Sequence, residues 1–548
     1  MEKLKYSQLI FIILCLILAI KVEAQKPAFE TGKHIPPPEA KHKKNYYSSI
    51  IYSTPEEFLV SDRMKNGQVY TSYDALTLKK KETFTLELPI VNGGKDVDWI
   101  RRIFRAEETT SIYGYYNRKD DENFVYGKIT DRNGKDIVKE KVLAKISASK
   151  RKYIGSLGQV FSKDKSKILI YRELTSKESE QEEIELWLYD DQLNKIYKKK
   201  MSFPYKNKQF YVQEYLVTND GKVIVIAYYK ASKDEIKADP DAKNTLNFKV
   251  FGVTADNEEL DEIKITKKGS ALSSAFGWVL DSGDIVFTGY FREGGEKKYQ
   301  YGANGIYYVK VNTSNWEIET SHFNKIPKED LTRIFVANGA NERQTRRVKK
   351  SVDNGAGLSA FYIRGLFYEN DGSVKIISQA EWMTQVCTTD PKTGVQSCRY
   401  IYYNMQIVEF DLDADGKISK TLIIPKKQVA GSPVLEGHIA LLSNSRTYFV
   451  FNDADINFNE KKLAKHDGNK FYYTFGNSRK NRLVYAYVKK KGDATKVAMI
   501  DNYKNNILIY PSEYVRISNE TVITWGKLRK GKELLLVKLY LKEKEKQD

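Results

Sequence analysis

The sequence has few of the residues that carry metal and nucleophile chemistry. Its 548 residues include only five histidines and three cysteines. No two histidines have the spacing of a zinc site, which excludes the common zinc hydrolase motifs. The chain also lacks a Gly-x-Ser-x-Gly elbow, a phosphate-binding glycine loop and a dinucleotide fingerprint. No local motif therefore assigns an activity.

Long apolar runs are absent except at the N-terminus. Leu9–Ile20 is an apolar stretch of 12 residues that follows Lys3 and Lys5. This pattern predicts a signal peptide over residues 1–24, with cleavage after Ala24. An uncleaved anchor is the alternative, but such a stretch is too short to span a bilayer. The mature chain is predicted to be exported to the periplasm, the cell surface or the medium, without a transmembrane segment.

Only two cysteines, Cys387 and Cys398, follow the predicted cleavage site. If residues 391–394 form a hairpin loop, these two cysteines lie directly opposite each other on neighbouring strands. An exported protein folds in an oxidising compartment, so the sequence predicts a disulfide between them. Two free thiols are the alternative, and two cysteines are too few ligands for a metal site.

Proline is scarce, with 13 residues in the chain, and three of these are consecutive at Pro36–Pro38. Consecutive prolines favour extended polyproline geometry, and the nearby lysines keep the segment solvated. We therefore expect a linker over residues 25–45. Residues 46–542 are predicted to form a single domain, and residues 543–548 a charged tail.

Acidic residues are outnumbered by basic ones, 71 to 90, which gives a formal net charge of +19. Outside the cytoplasm, such a charge favours partners that are polyanions, such as acidic glycans. The lysines occur in short runs without interleaved aromatics, so nucleic-acid binding is not predicted. The alternative is that the charge only solvates turns and strand ends.

What the sequence does contain is a β-rich run that returns seven times. The runs are centred on Tyr113, Leu169, Val225, Phe287, Ile376, Phe449 and Ile523. Each run follows a turn signal and precedes a second hairpin, and two hairpins make one four-stranded antiparallel unit. One such sheet cannot bury both of its faces, so the repeat predicts an all-β fold, a β-propeller.

The number of repeats favours seven blades, and six or eight blades remain open because boundaries predicted from one sequence shift by a few residues. A propeller closes when a strand near one terminus completes the blade at the other. We expect Glu533–Leu541 and Gln68–Pro89 to supply the strands that close the ring.

The largest insertion, residues 327–357, is predicted to contain a short helix that begins near Lys328. Its distal part is strongly basic and is predicted to bind the partner. The basic residues are Arg343, Arg346, Arg347, Lys349 and Lys350. Together with the inner turns of the blades, they are expected to form one binding face.

Alternating carboxylates at Asp411, Asp413 and Asp415 resemble the first half of a calcium loop, in which side-chain oxygens bind the ion. A calcium site is one interpretation of this segment, and no other cofactor is predicted. The closing acid is missing, because Ser419 and Leu422 stand where it is needed. A plain hairpin turn is the other interpretation.

The charged segment Lys328–Lys350, followed by the turn Asn370-Asp371-Gly372-Ser373, resembles a group of uncharacterised exported propeller-type repeat proteins of Gram-negative bacteria. Their architecture is similar to that of WD40 and TolB propellers. The resemblance covers most of the mature chain. It implies an exported propeller and no catalytic residue.

Three functions fit this scaffold. The leading interpretation is a non-enzymatic binding or scaffold protein of the cell envelope that recognises a protein or an anionic glycan. The second is a carbohydrate-active or other hydrolytic enzyme whose carboxylates come from several blades. The third is a structural subunit of an envelope assembly. An enzyme would gather acids at the mouth of the channel, a binding protein would place aromatics and arginine there, and a structural subunit would expose an apolar patch.

Overall fold

The structure, a computed structural model, describes the chain between residues 26 and 542 with internal gaps. The described residues are 26–35, 48–63, 67–87, 89–91, 95–97, 99–147, 155–174, 181–206, 209–238, 246–257, 260–293, 302–369, 372–430, 435–443, 446–454, 457, 481–489, 494–499, 507–528 and 534–542. The predicted signal peptide and charged tail lie outside them. Within these ranges, no helix has the length and apolar character needed to cross a membrane.

The strands form eight four-stranded antiparallel blades. The first strand in the chain is β1 (Lys26–Lys33). Blade 1 contains β2 (Ser48–Ser53), β3 (Glu57–Arg63), β4 (Gly67–Asp74) and β5 (Lys80–Glu87). A two-stranded pair follows, β6 (Ile90–Val91) and β7 (Lys95–Asp96). Blade 2 contains β8 (Trp99–Phe104), β9 (Glu108–Asn117), β10 (Glu122–Asp131) and β11 (Asp136–Ser147).

Blades 3 to 5 follow without a break in this order. Blade 3 contains β12 (Ser156–Phe161), β13 (Lys167–Glu173), β14 (Gln181–Asp190) and β15 (Lys195–Lys206). Blade 4 contains β16 (Phe210–Val217), β17 (Val223–Lys230), β18 (Leu246–Val253) and β19 (Asp261–Ile265), with helix α1 (Lys233–Ala238) before β18. The short strand β20 (Ser270–Leu272) joins blade 4 to blade 5. Blade 5 contains β21 (Phe276–Val279), β22 (Ile285–Glu293), β23 (Gly305–Asn312) and β24 (Glu317–Lys325).

Two helices separate blades 5 and 6, α2 (Lys328–Val336) and α3 (Glu342–Asp353). Blade 6 contains β25 (Phe361–Tyr368), β26 (Val374–Thr389), β27 (Gln396–Leu412) and β28 (Ile418–Ile424), with β29 (Gln428–Ala430) paired to β27. Blade 7 contains β30 (Ile439–Ser443), β31 (Arg446–Ala454), β32 (Asn481–Val488) and β33 (Ala494–Ala498). Blade 8 contains β34 (Ile507–Ser518), β35 (Thr521–Leu528), β36 (Leu534–Lys542) and β1.

The central strands are apolar at consecutive positions because both of their faces are buried. In β17, all five residues from Val223 to Ala227 are fully buried. Val225 packs toward blade 3 and Ile224 toward blade 5, since successive side chains of a strand point to opposite faces. The β-rich runs in the sequence are therefore strands between two neighbouring blades.

The ring is closed by the N-terminal strand. β1 pairs antiparallel with β36 from Lys26, opposite Lys542, to Lys33, opposite Leu535. A separate hydrophobic cluster fills each of the eight interfaces between successive blades, including the interface between blades 8 and 1. The clusters lead from each blade to the next and back to the first, as a closed propeller requires.

His34, directly after β1, ties this strand to blade 1. Its Nδ1 lies 2.7 Å from the Tyr73 hydroxyl and its Nε2 lies 3.2 Å from Asp62 Oδ1. The imidazole is also packed edge-on against Trp525 of blade 8. The N-terminal segment thus contacts both blades that meet where the ring closes.

The all-β propeller fold is confirmed, and the number of blades is eight instead of the favoured seven. Gln68–Pro89, expected to supply closing strands, instead contains most of β4 and all of β5, which belong to a complete blade over residues 48–87. Its first turn runs through Thr54, Pro55 and Glu56 and has no Asn-Gly or Asp-Gly signal. The closing strand lies instead in the segment predicted as a linker, because residues 26–33 of that segment are β1.

Candidate functional site

The long insertions within the described residues emerge on one face of the ring, which we call the insertion face. Contacts between the first strands of neighbouring blades place these strands at the channel: Gly277 N donates to the Glu214 carboxylate at 3.2 Å, and Trp278 stacks on Tyr368. With antiparallel blades, the loops between second and third strands and the connections between blades share a face. These carry α1, the α2–α3 pair and the tip of the β26–β27 hairpin.

The turns between first and second strands lie on the opposite face. The predicted binding face combined these inner turns with the basic insertion, and this combination is wrong. The antiparallel order of each blade separates the two by the full length of a strand.

The β26–β27 hairpin extends well beyond blade 6. Its strands are 16 and 17 residues long, whereas β25 pairs with β26 only as far as Ala380. Cys387 lies directly opposite Cys398 near the tip, and the two form a disulfide. We call the part of this hairpin from Glu381 to Asn404 the arm. It stands over the insertion face, with the disulfide near its tip.

We expect the double variant Cys387→Ser/Cys398→Ser to make the arm open more often. In the chain-entropy model, a disulfide that closes a loop of this size raises the free energy of the open state by about 3 kcal/mol. Trypsin should therefore cut the arm at Lys392 and Arg399 on the order of 100-fold faster, with little change in the melting temperature of the ring. Reduced wild-type protein is the matched control, and equal cutting of the oxidised wild type and the variant would contradict this expectation.

A cleft of about 560 Å³ lies at the base of this arm, between blades 6, 7 and 8. Its lining residues are Tyr362, Arg364, Gln379, Glu381, Trp382, Met383, Tyr402, Tyr403, Asn404, Glu436, Gly437, His438, Pro511, Ser512 and Tyr514. They come from the first strands of blades 6 and 8, the base of the arm and the connection from blade 6 to blade 7. The cleft thus opens at the rim of the channel on the insertion face.

Two carboxylates in the cleft are linked by a chain of amide side chains. Gln379 Nε2 donates to Glu381 Oε1 at 2.8 Å and to Asn404 Oδ1 at 2.6 Å. Asn404 Nδ2 in turn donates to Glu436 Oε2. The amide nitrogens are the donors and the carboxylate oxygens are the acceptors. Glu381 and Glu436 therefore belong to one hydrogen-bonded network.

Glu381 is the member of the pair that an arginine holds. Arg364 donates to it through Nε at 2.7 Å and through Nη2, in a two-pronged ion pair. Such paired hydrogen bonds fix the plane of the carboxylate as well as its position. Arg364 and Glu381 lie on the neighbouring strands β25 and β26, so the blade itself positions them.

Glu436 is the protonated member at mildly acidic pH. Burial raises the pKa of its carboxyl to about 7, and the negative charge of Glu381 acts in the same direction. The hydrogen bond from Asn404 and the charge of Lys426 oppose this rise. Its Oε1 is buried and has no hydrogen-bond partner among the described residues. Two carboxyl groups in different surroundings thus face one cleft, one held by an arginine and the other buried.

Aromatic side chains form the walls of the cleft. Trp382 and Tyr403 stack across the two strands of the arm, with ring centroids 5.1 Å apart and planes within 10°. Tyr362 and Tyr514 are also exposed in the cleft, at 52% and 37% of their surface. Flat exposed rings beside polar groups suit a ligand with both apolar and hydroxyl-bearing faces.

The basic residues predicted to bind a partner lie elsewhere on the insertion face. Arg343, Arg346, Arg347, Lys349 and Lys350 are exposed along α3, and none lines the cleft. The end of α2 touches blade 6, where Gln406 Nε2 donates to the Ile334 carbonyl at 3.0 Å. The two helices are therefore anchored beside the cleft, with the basic side chains turned to solvent.

The three aspartates of the calcium hypothesis lie on the opposite face, and each has a protein partner. Asp411 Oδ2 is 3.0 Å from Lys375 Nζ, and Asp413 Oδ1 accepts from the Lys417 amide at 2.8 Å. Asp415 is 3.6 Å from Lys417 Nζ. In the part of the chain that the structure describes, no three His, Cys, Asp or Glu residues are grouped to hold a metal ion. The calcium site stays a prediction.

Sequence reasoning missed the residues of the cleft. Arg364, Glu381 and Glu436 are separated by 17 and 55 positions (381 − 364 and 436 − 381) and form no local pattern. The signal available in the sequence is that Gln379 and Glu381 follow the apolar pair Ile376 and Ile377 within one strand. The structure brings acids, aromatics and an arginine together at the rim of the channel, so it combines the acids expected of an enzyme with the aromatics and arginine expected of a binding protein.

Comparison with known proteins yields no family. No protein family and no curated protein matches this chain. A solved prolyl endopeptidase structure matches 89% of this chain and 55% of its own, at 10% identity and a TM-score of 0.34. The β-propeller domain of the Trilobed protease from Pyrococcus furiosus matches over 83% and 97%, at 15% identity and a TM-score of 0.29. Sqt1 from Saccharomyces cerevisiae matches over 90% and 97%, at 9% identity and a TM-score of 0.32.

Further matches include a prolyl oligopeptidase, a post-proline cleaving enzyme and an acylaminoacyl peptidase. This chain spans about half the length of these peptidases. The expectation of a non-enzymatic binding or scaffold protein is wrong as stated, since most of these neighbours are enzymes, and the hydrolytic alternative agrees with them better. At such identities and TM-scores, the likeness itself extends only to the fold: this chain is a β-propeller.

Proposed function

We propose that the cleft is the active site of a hydrolase that cleaves a glycosidic bond in an anionic glycan. One observation carries the proposal: Glu436 and Glu381 are connected through two amides, and their surroundings favour opposite protonation states. A protonated and an ionised carboxyl group on either side of the scissile bond are what glycoside hydrolysis needs.

In this reaction, Glu436 is the general acid. Its proton goes to the leaving glycosidic oxygen as the bond from that oxygen to the anomeric carbon breaks. A water oxygen joins the anomeric carbon, and Glu381 takes the proton of that water. Arg364 holds Glu381 for this role, and the network through Gln379 and Asn404 keeps the two carboxyl groups in register.

The aromatic walls support a carbohydrate substrate. Sugar rings have an apolar face that stacks on aromatic side chains and hydroxyls at their edges that need polar partners. Trp382 and Tyr403 supply a flat surface beside the carboxylates, and Tyr402 and Tyr514 extend it. The test is release of reducing ends from a panel of neutral and acidic polysaccharides, and no release from any of them by folded protein would sink the proposal.

The anionic character of the substrate is supported by α3, whose basic side chains lie on the same face as the cleft. We expect Arg343→Ala/Arg346→Ala/Arg347→Ala to raise KM for an acidic polysaccharide about 3- to 10-fold at low salt, because the helix attracts the polyanion over a Debye length of about 10 Å at 0.1 M. At about 1 M salt, the difference from wild type should disappear, since screening then acts within about 3 Å.

Lys79→Ala/Lys80→Ala/Lys81→Ala is the matched control for this prediction. It removes the same charge from an exposed lysine run beside a turn of blade 1 on the opposite face. An equal rise in KM for both triple variants would show that only net charge matters and would remove α3 from the site.

An exported location completes the proposal. It is supported by the predicted signal peptide 1–24 and by the Cys387–Cys398 disulfide, which suits an oxidising compartment. In the periplasm or outside the cell, the chain would meet acidic polysaccharides directly.

A further inference from the structure

A buried lysine lies beneath the floor of the cleft. Lys426 follows β28 and is fully buried, with no exposed surface. Its Nζ donates to Gln428 Oε1 at 2.7 Å and to the Gly437 carbonyl at 3.3 Å. Burying an ammonium group costs free energy unless the group is hydrogen-bonded and lies near opposite charge. A buried lysine at this position therefore needs a structural explanation.

The hydrogen bonds of Lys426 hold the backbone on which Glu436 stands. Gln428 Oε1 also accepts from the Gly437 amide at 2.9 Å, so both backbone groups of Gly437 are fastened from below. Gly437 has a φ of 98°, a conformation open mainly to glycine. The two residues that flank it, Glu436 and His438, both line the cleft.

Carboxylates of the cleft and of blade 7 act electrostatically on the ammonium group. Burial lowers the pKa of Lys426 to about 7, and nearby carboxylates oppose that fall. The charged and titratable groups that act on Lys426 or are acted on by it are Glu381, Glu436, Asp453, Lys496 and His438. Among these carboxylates Glu381 acts most strongly on Lys426, followed by Glu436 and Asp453. Glu381 is already paired with Arg364 and Asp453 with Lys496, whereas the charge of Lys426 is the one that lowers the pKa of Glu436.

We propose that Lys426 is a positioning residue for Glu436: its hydrogen bonds to Gln428 and to the Gly437 carbonyl clamp the Glu436–His438 segment from below the cleft, and they hold a positive charge beside that segment. This inference rests on the proposed function only for its catalytic meaning. The clamp and the charge coupling are properties of the folded protein without substrate.

The coupling is tested by infrared titration of the Glu436 carboxyl band, which is identified by its loss in Glu436→Gln. In Lys426→Met, we expect the titration midpoint to rise from about 7 by at least about one unit, because a neighbouring positive charge is gone. In Lys426→Arg, it should fall below the wild-type value, since a guanidinium stays charged. The exposed Lys420→Met is the control and should leave the midpoint unchanged.

Opposite shifts in the two variants separate charge coupling from a purely structural role. If Lys426 only held the fold, both variants would expose Glu436 and both midpoints would fall toward 4.5, the ordinary value. That result, or no shift in either, would overturn the proposal. If Lys426→Met does not fold, Lys426→Gln keeps a hydrogen-bond donor without the charge and should raise the midpoint in the same way.

The titration needs no substrate, so it is independent of the proposed function. Opposite shifts without any glycan hydrolysis would support Lys426 and remove the hydrolase. Hydrolysis with unchanged titration midpoints would support the hydrolase and overturn the role of Lys426. Where hydrolysis is present, the alkaline limb of the kcat/KM profile should move with the infrared midpoint in each variant, which a structural role alone does not produce.

Discussion

Glu436→Gln should lower kcat/KM for glycan hydrolysis by about 10³-fold, because an amide has no proton to give the leaving oxygen and general acids contribute roughly 10²- to 10⁴-fold. Gln has nearly the same shape as Glu and can still accept the hydrogen bond from Asn404, so binding of the substrate should be retained. The measurement is initial rate of reducing-end release across substrate concentration, which separates kcat from KM.

The same assignment predicts how the wild-type activity depends on pH. Glu436 must be protonated to act, and its pKa is raised to about 7. The protonated fraction therefore falls about tenfold for each pH unit above 7, and kcat/KM should fall with it. In Glu436→Gln, the residual kcat/KM should not show this fall above pH 7.

Glu107→Gln is the control for both measurements, since Glu107 is an exposed carboxylate in the turn between β8 and β9, on the face opposite the cleft. It should leave the rate and the pH profile unchanged. A Glu436→Gln protein that hydrolyses the glycan as fast as wild type would falsify the assignment of the general acid.

Trp525→Ala should destabilise the protein by about 4 kcal/mol, within the range for large aromatic side chains removed from a packed core. Trp525 is 1% exposed and lies between blades 8 and 1, with Phe58, Ile523 and Leu536. Its loss leaves a cavity at the interface between blades 8 and 1, beside the pairing of β1 with β36 that closes the ring inside blade 8. That interface is held by side-chain packing and by the contacts of His34 with Tyr73 and Trp525, where the chain leaves β1 toward blade 1.

The measurement is denaturant unfolding followed by tryptophan and tyrosine fluorescence, with the circular dichroism of the strands as a second probe. Leu528→Ala on the same strand is the matched control, because Leu528 is 44% exposed and its truncation should cost less than about 1 kcal/mol. Equal losses for the two variants would mean that the closing interface does not carry the stability of the ring.

The sequence alone determined the fold class, the central strands and the disulfide. Consecutive apolar residues such as Val223–Ala227 mark a strand that is buried on both faces, and this is a local property of the chain. Cys387 and Cys398 lie opposite each other because hairpin register follows from the loop between them. Blade 1 was not predicted because its first turn has no glycine signal. β1 was not predicted because it is a single strand beside prolines and is not part of a sequence repeat.

The candidate site was decided only by the tertiary structure. Arg364, Glu381 and Glu436 belong to β25, β26 and the connection to blade 7, and nothing in the spacing of these residues shows that they meet. The ring places the same edge of each blade at one rim, so side chains from distant segments converge there. Burial at that rim then gives Glu436 its raised pKa, since desolvation depends on what surrounds a group and not on the residues next to it in sequence.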